Sequence, residues 1–402
     1  MTDEIPRATA GTWREVLAVF LRLGLTSFGG PVAHLGYFRE EFVAKRRWLD
    51  DRTYADIVAL CQFLPGPASS QVGIAIGLSR AGYAGAFAAW TGFTLPSALA
   101  LVAFAYGIDA LGVGAGTGWL HGLKVAAVAV VAQAVLGMMR SLAPDRERAT
   151  IAVVAAIVVL ALPSAWSLVG MILAGGLVGV ALLRTAAPSD HVSLPLPMSR
   201  RTGAALLVIF FALLAGLPLL AAATSSHTIK LIDAFYRTGS LVFGGGHVML
   251  PLLQEAVVPS GWTTRDIFLA GYGATQAVPG PLTTFAAYLG AIMKPEPHGM
   301  VGAALCLGTI FVPSFLLVFG ALPFWEEFRR RSWAQAALRG INAAVVGILL
   351  AALYDPVWTA GITSRGDFAL AIGAFLLLFL WKTPPWLVVI LSAIGGAMIA
   401  AL

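Results

Sequence analysis

Apolar residues run through this chain in blocks of near-membrane length, separated by short polar loops. Residues 85–108, 167–183, 201–223 and 387–402 are examples. Each block is long enough for a helix to cross a hydrocarbon layer of about 30 Å. Alternating strands of about 10 residues, which would mark a membrane β-barrel, do not stand out. The pattern predicts an all-α polytopic membrane protein.

Two interruptions stand out near the start. A helix from about Trp13 is expected to stop at Gly29-Gly30-Pro31, with a second piece returning to about Lys45. Residues 53–64 then run to Pro65-Gly66-Pro67, and residues 68–79 follow. Pieces of about 12 residues are too short to span at 1.5 Å per residue. They are expected to form re-entrant helical hairpins, with fully spanning pairs as the alternative. Four longer helices are predicted after them, at 83–108, 119–140, 149–162 and 165–183.

The same layout returns later in the chain. Arg22, Gly24, Phe28, Gly29 and Gly30 match Arg237, Gly239, Phe243, Gly244 and Gly245 at an offset of 215. After a slip of one residue, Gln62, Pro65, Gly66 and Pro67 match Gln276, Pro279, Gly280 and Pro281. Glu40 matches Glu255, and Leu123-Lys124 matches Leu338-Arg339. Such shared order and spacing indicate two homologous halves. Residues 1–200 form an N-terminal repeat, 201–225 a linker transmembrane helix, and 226–402 a C-terminal repeat.

Basic residues set the expected orientation. In the first half Lys45, Arg46, Arg47, Arg80, Arg140, Arg146, Arg148, Arg184, Arg200 and Arg201 fall on one side. Residues 109–118 and the turn Pro163-Ser164 carry no Lys or Arg. The positive-inside rule places the basic side and the N-terminus in the cytoplasm. The linker helix inverts the second half, so that Arg329, Arg330, Arg331 and Lys382 return to the cytoplasm and the C-terminus ends in the periplasm. The expected fold is an inverted-topology repeat. Each half has two re-entrant hairpins plus about four spanning helices.

Composition narrows the function classes. Hydrophobic residues make up 58% of the chain and charged residues 11%, against about 25% charged in a soluble domain. The formal net charge of +6 sits in loops flanking the bilayer, so no nucleic-acid partner is expected. Met1-Thr-Asp-Glu-Ile-Pro is acidic and polar, and no cleavable signal peptide is expected. Cys61 and Cys306 lie in apolar segments without ligand spacing, as inert buried thiols would. No metal site or cofactor is expected. Phosphate-loop, nucleophile-elbow, zinc-protease and dinucleotide motifs are missing from the sequence, which argues against an enzyme.

Four cations remain inside apolar segments: Arg22, Lys124, Arg237 and Arg339. A charge near the bilayer centre costs about 2.5–3.5 kcal/mol on insertion scales. Snorkelling or pairing with a carboxylate explains any one of them alone. Two matched pairs beside two matched helix breaks point to attraction of an anion. The breaks agree with this. A helix starting inside the membrane presents unpaired N–H groups and a positive dipole end, and proline fits its first position. Pro67 and Pro281 open such starts, with Ser69, Ser70, Thr283 and Thr284 adding hydroxyls. Gly29-Gly30 and Gly244-Gly245 allow close backbone approach to a ligand. Gln62 and Gln276 are candidates to donate amide hydrogen bonds or to pin the hairpin tips. Glu40, Asp56, His247 and Glu255 are candidates for proton coupling. Neutralising an arginine, or for Asp56 a first-turn position, is the alternative. Glu41 and His34 belong to the same small set of core ionisable groups.

The segments TSFGGPVAHLGYFREEFVAKRRWLDDRTYADIVALCQFLPGPASSQVG, LVFGGGHVMLPLLQEAVVP and TQAVPGPLTTFAAYLG resemble the signature regions of the chromate transporter family (CHR superfamily). The resemblance covers essentially the whole chain in the family's long, two-domain form. It implies a bacterial inner-membrane protein that exports chromate, confers chromate resistance and has halves of opposite orientation. The second half departs from the first: Gly246 replaces Pro31, His247 replaces Val32, and Glu40-Glu41 becomes Glu255-Ala256. The halves are therefore not expected to contribute equally.

Chromate is a tetrahedral dianion resembling sulfate. Residue types explain the binding of such an ion but do not choose between the two. A sulfate or other oxyanion transporter or exchanger, and a passive anion channel, stay open. A dianion leaving a negative-inside cell is favoured by about 4.6 kcal/mol per 100 mV, at 2.3 per charge. The expectation is a secondary active exporter with the anion between the four breaks. A homodimer remains an open expectation for its assembly.

Overall fold

The computed structural model describes residues 11–110, 118–183, 198–243, 246–325, 327 and 331–401. Among them all regular structure is helical. In the first half α1 (Trp13–Thr26) is followed by α2 (Gly30–Arg39), which runs on through a π-helical turn at Glu40–Lys45. Then come α3 (Asp51–Phe63), α4 (Ala68–Ala110), α5 (Gly118–Leu142), α6 (Arg146–Ala161) and α7 (Ala165–Leu182). The connecting helix α8 spans Arg200–Ala223. The second half begins with α9 (His227–Leu241), and the 3-10 turn Gly246–Val248 leads into α10 (Met249–Val257). α11 (Arg265–Thr275), the 3-10 turn Leu282–Thr284, α12 (Phe285–Ile292) and α13 (Gly299–Ala321) follow. α14 (Ser332–Ala352) continues through a π-helical turn at Leu353–Trp358, and α15 (Arg365–Phe379) and α16 (Pro385–Ala401) end the chain.

The helix breaks fall at the punctuation read from the sequence. α1 stops one residue before Ser27, and α3 stops two before Pro65. Local chemistry sets the starts. Asp50, Asp145, Ser164, Ser199, Thr264 and Ser364 cap α3, α6, α7, α8, α11 and α15 by accepting a backbone N–H of the first turn. α4 has two arms. Ala81 (φ −145°, ψ 29°) and Gly82 (φ 61°, ψ −155°) leave helical geometry. Gly77 on one arm and Gly85 on the other lie against each other's backbone, so the arms fold back together. Gly290 and Gly302 make the same backbone contact between α12 and α13.

Among the described residues five helical stretches are long and apolar enough to cross a membrane: α4, α5, α8, Gly299–Phe324 (α13 and the turn after it) and Ser332–Gly361 (α14 with its continuation). α8 is apolar all round, yet only 6% of its most apolar window is buried. A helix of that kind needs a non-aqueous neighbour on its outer faces, as a bilayer provides.

Packing exchanges partners between the halves. α5 packs on α15 and α16, while α14 packs on α6 and α7. Gly122 lets α5 approach the Ser392 carbonyl of α16, and Gly179 lets α7 approach the Ala336 carbonyl of α14. Small residues are the usual means of close helix approach where no hydrophobic effect drives association. Both main apolar cores draw on both halves. Phe20, Phe38, Phe42 and Phe93 share one with Val318 and Phe319, and Leu123 and Val131 share the other with Phe268 and Tyr288.

Candidate functional site

The four breaks meet in reciprocal pairs. Pro65-Gly66-Pro67 forms the first tip, between α3 and α4, with Gly66 at φ 129°. The Gly66 N–H donates to the carbonyl of Val242, at the end of α9, at 2.6 Å. Pro279-Gly280-Pro281 forms the second tip, with Gly280 at φ 98°. The Gly280 N–H donates to the carbonyl of Ser27, at the end of α1, at 2.9 Å. Ser27 and Val242 stand 215 residues apart, the offset of the repeat. Each half thus sets its Pro-Gly-Pro tip on the residue that caps the end of the other half's opening helix.

Two serines complete the arrangement. A β-carbon at Gly66 would stand 2.9 Å from Ser314 Oγ of α13, and one at Gly280 would stand 2.8 Å from Ser97 Oγ of α4. Both serines follow a proline inside a helix, Pro96 or Pro313. Sequence reasoning missed Ser97 and Ser314. The duplicated Pro-Ser within apolar helices was the signal available.

The first break turns on glycines. Gly29 (φ 98°) and Gly30 (φ 76°) occupy backbone that other residues rarely adopt. Gly244 and Gly245, their counterparts, lie outside the described residues. Beyond the first break α2 turns His34 inward, where it is 1% exposed. Its Nδ1 is 3.3 Å from Ser69 Oγ, and its ring meets Phe93 edge-on at 5.1 Å. His247 contacts Tyr272 instead, with Nδ1 2.6 Å from the phenol oxygen.

The two tips are held differently. Gln71 donates from Nε2 to the Pro65 carbonyl at 2.7 Å. Gln62 is exposed at the end of α3. At the second tip Gln276 is buried and donates to Thr275 Oγ1 at 3.1 Å. Thr284 donates to the Pro281 carbonyl at 2.8 Å, and Thr275 to the Tyr272 carbonyl at 2.6 Å. Thr283 is buried beside them, as Ser69 and Ser70 are buried in the first turn of α4.

Three of the four cations meet carboxylates, and of the four only Lys124 is buried, Arg22 being exposed like Arg339. Arg22 pairs with Glu41 at 2.5 Å, and Arg46 reaches the same carboxylate at 2.6 Å. Glu41 is 4% exposed and lies in the π-helical turn, which leaves its neighbour Glu40 exposed to Lys45 at 3.4 Å. Arg237 pairs with Asp233 one turn earlier at 2.6 Å. Lys124, 6% exposed, pairs across the halves with Asp266 at 2.9 Å. Arg339 is exposed on α14. Asp56 is buried on α3, and Glu255 is half-buried on α10.

The equivalent helices α3 and α11 pack unequally. α11 lies on α5, where Gly273 meets the Leu123 carbonyl and Asp266 meets Lys124. Its residues 268–276 are all buried. α3 packs on α2 and α4 and makes no comparable contact with α14. Ala55, Ala59 and Gln62 form an exposed stripe along it. Among the described residues no group of three or more His, Cys, Asp or Glu could hold a metal ion.

Comparisons with known proteins follow this geometry. The family profile described as "Chromate transporter" matches residues 14–180 and 229–397, one stretch in each half. The chain is 28% identical to a "Chromate transport protein" of Pseudomonas aeruginosa, over 98% of this chain and 94% of that one. It is 26% identical to a "Probable chromate transport protein" of Synechococcus elongatus, over 96% and 95% of the two chains. A "Chromate transport protein" of Cupriavidus metallidurans is 26% identical over 85% of this chain and 82% of its own. No solved structure matches the chain.

Proposed function

The chain belongs to the chromate transporter family, and from that premise we propose that it exports chromate across the bacterial inner membrane by alternating access. The family is one of transporters rather than enzymes. The observation that carries the mechanism is the unequal packing of α3 and α11. α11 is closed on α5, whereas the matching stripe of α3, Ala55-Ala59-Gln62, is exposed and α3 has no comparable packing on α14. Sequence equivalence pairs Ala59 with Gly273 and Leu338 with Leu123. Closing α3 onto α14 while α11 leaves α5 exchanges the open face. With the N-terminus cytoplasmic, the open face is the cytoplasmic one, which loads an exporter.

In this account the anion sits between the paired tips and breaks: Gly29-Gly30, Pro65-Gly66-Pro67, Gly244-Gly245 and Pro279-Gly280-Pro281. Arg22, Lys124, Arg237 and Arg339 act at a distance, since three of them already face a carboxylate. Fixed positive potential then raises local anion concentration without binding it tightly. Membrane potential drives the dianion outward. Glu40, Asp56, His247 and Glu255 are the proposed coupling groups should protons take part.

Counterflow tests the proposal. Proteoliposomes preloaded with unlabelled chromate should take up labelled chromate several-fold faster than empty ones, with sulfate added as a competitor. Single-channel current without counterflow would favour a channel, and no chromate-dependent flux in either vesicle would refute chromate carriage.

A further inference from the structure

The two tips differ in what their side chains have left to offer. Ser27 Oγ, His34 Nε2, Ser70 Oγ and Ser314 Oγ are buried and have no hydrogen-bond partner. Their residues are 0%, 1%, 2% and 0% exposed. Three belong to the first tip's surroundings, and Ser27 lies between the tips, its carbonyl accepting from Gly280. Ser70 lies in the first turn of α4, Ser314 faces Gly66, and His34 reaches the adjacent Ser69. Ser27 ends α1, and the His34 ring lies close to its backbone. At the second tip the counterparts of Ser70 and Ser314 are engaged, Thr284 with the Pro281 carbonyl and Ser97 with the Thr94 carbonyl at 3.1 Å. The counterparts of Ser27 and His34 are the apolar Val242 and Met249, and Thr94 Oγ1 is the hydroxyl left without a partner there.

Buried polar groups in proteins are nearly always paired, and a cluster of exceptions calls for something that fills it. The exceptions here are of one chemical kind. Three are hydroxyls, free to donate. When Ser69 donates to His34 Nδ1, the His34 proton sits on Nε2, a fourth donor. Gln71 differs: its N–H holds the Pro65 carbonyl, and only its Oε1, an acceptor, is unpartnered. No Lys or Arg belongs to the set. The start of α4, opened by Pro67, adds first-turn backbone N–H groups on the same side.

We propose that, in the space between the tips, the side chains that hold the oxyanion come from the first tip and the adjoining end of α1, and that they are neutral donors: the hydroxyls of Ser27, Ser70 and Ser314 and the Nε2–H of His34. The inference rests on the proposal that this chain carries chromate. The ligand class is a fully deprotonated tetrahedral dianion, whose oxygens only accept hydrogen bonds. Phosphate retains a proton near neutral pH and must also donate, which disfavours it in a donor-rich site. The second tip is a structural partner that fixes the Ser27 carbonyl through Gly280.

Chromate binding to the purified full-length protein tests this, with labelled chromate as the probe and phosphate as the competitor. Ser70→Ala/Ser314→Ala should weaken chromate binding at least tenfold, whereas the loss in Ser97→Ala should be at least threefold smaller than that. Excess phosphate should displace chromate poorly. Equal affinity in the parent and the double variant would overturn the proposal, as would a loss in Ser97→Ala as large as that of the double variant. If the double variant does not reach the membrane, Ser70→Ala and Ser314→Ala decide singly: each should loosen chromate at least threefold, and unchanged affinity in both contradicts the site. Absence of chromate binding by the parent protein would instead strike at chromate carriage itself.

Discussion

The two Pro-Gly-Pro tips share a sequence, a positive-φ glycine and equivalent docking positions, Val242 and Ser27, yet they spend their hydrogen bonds differently. At the second tip Thr275, Gln276 and Thr284 close on one another and on nearby carbonyls. At the first, Ser70 and Ser314 keep buried hydroxyls without partners. Duplication supplies two copies of a backbone, and selection on side chains then divides the work. One copy can carry a ligand while the other holds the frame. The two faces of the molecule repeat the lesson. α11 is buried against α5, and α3 presents its matching stripe outward.

The glycines of the tips give the sharpest way to break the comparison. Both need positive φ, and a side chain there costs on the order of 1–3 kcal/mol in backbone strain alone. Gly66→Ala would also drive a methyl into the Gln71 amide and toward Ser314. It should abolish chromate transport while the protein stays in the membrane. Gly280→Ala meets Ser97 Oγ at 2.8 Å and the Phe93 carbonyl at 3.1 Å. Its expected signature is a lowered thermal midpoint with residual transport. Flux and thermal unfolding measured on both variants separate a ligand tip from a frame tip, and identical profiles would erase the distinction.

A smaller effect comes from the glutamines. Removing the Gln71 side chain leaves the half-buried Pro65 carbonyl without its donor, a loss of about 0.5–1.5 kcal/mol for one hydrogen bond. Gln71→Ala should slow transport several-fold. Gln62→Ala removes an exposed amide and should change transport less than twofold. Initial rates of chromate uptake compare the pair directly.

Much of this was legible in the sequence because its causes are local. Proline lacks an N–H and glycine reaches positive φ, so Pro65-Gly66-Pro67 and Gly29-Gly30 end helices wherever they stand. Helices of membrane length follow from apolar run length in the same way. What stayed hidden depends on distant partners. No periodicity says that Gly66 will bond Val242, or that Lys124 will meet Asp266 across 142 residues. The π-helical turn that buries Glu41 and exposes Glu40 was equally unreadable, because neither residue type dictates it. Gln62 was a natural candidate to pin the tip by its place in the repeat. Gln71 fills that position because helix rotation after Pro67 turns it back onto Pro65.

The central claim is that α3 closes on α14 as α11 leaves α5. In a background where Cys61 and Cys306 are replaced by alanine, Ala59→Cys/Leu338→Cys places thiols at the positions equivalent to Gly273 and Leu123. Cross-linking of this pair by copper–phenanthroline, with chromate flux measured afterwards, is the most direct measurement. Chromate is itself a thiol oxidant, so it is added only after oxidant and reductant are washed out; the account then predicts that the pair cross-links, that the cross-link stops transport, and that reduction restores it. A pair that never cross-links in an actively transporting protein, or one that transports at full rate once cross-linked, would contradict it.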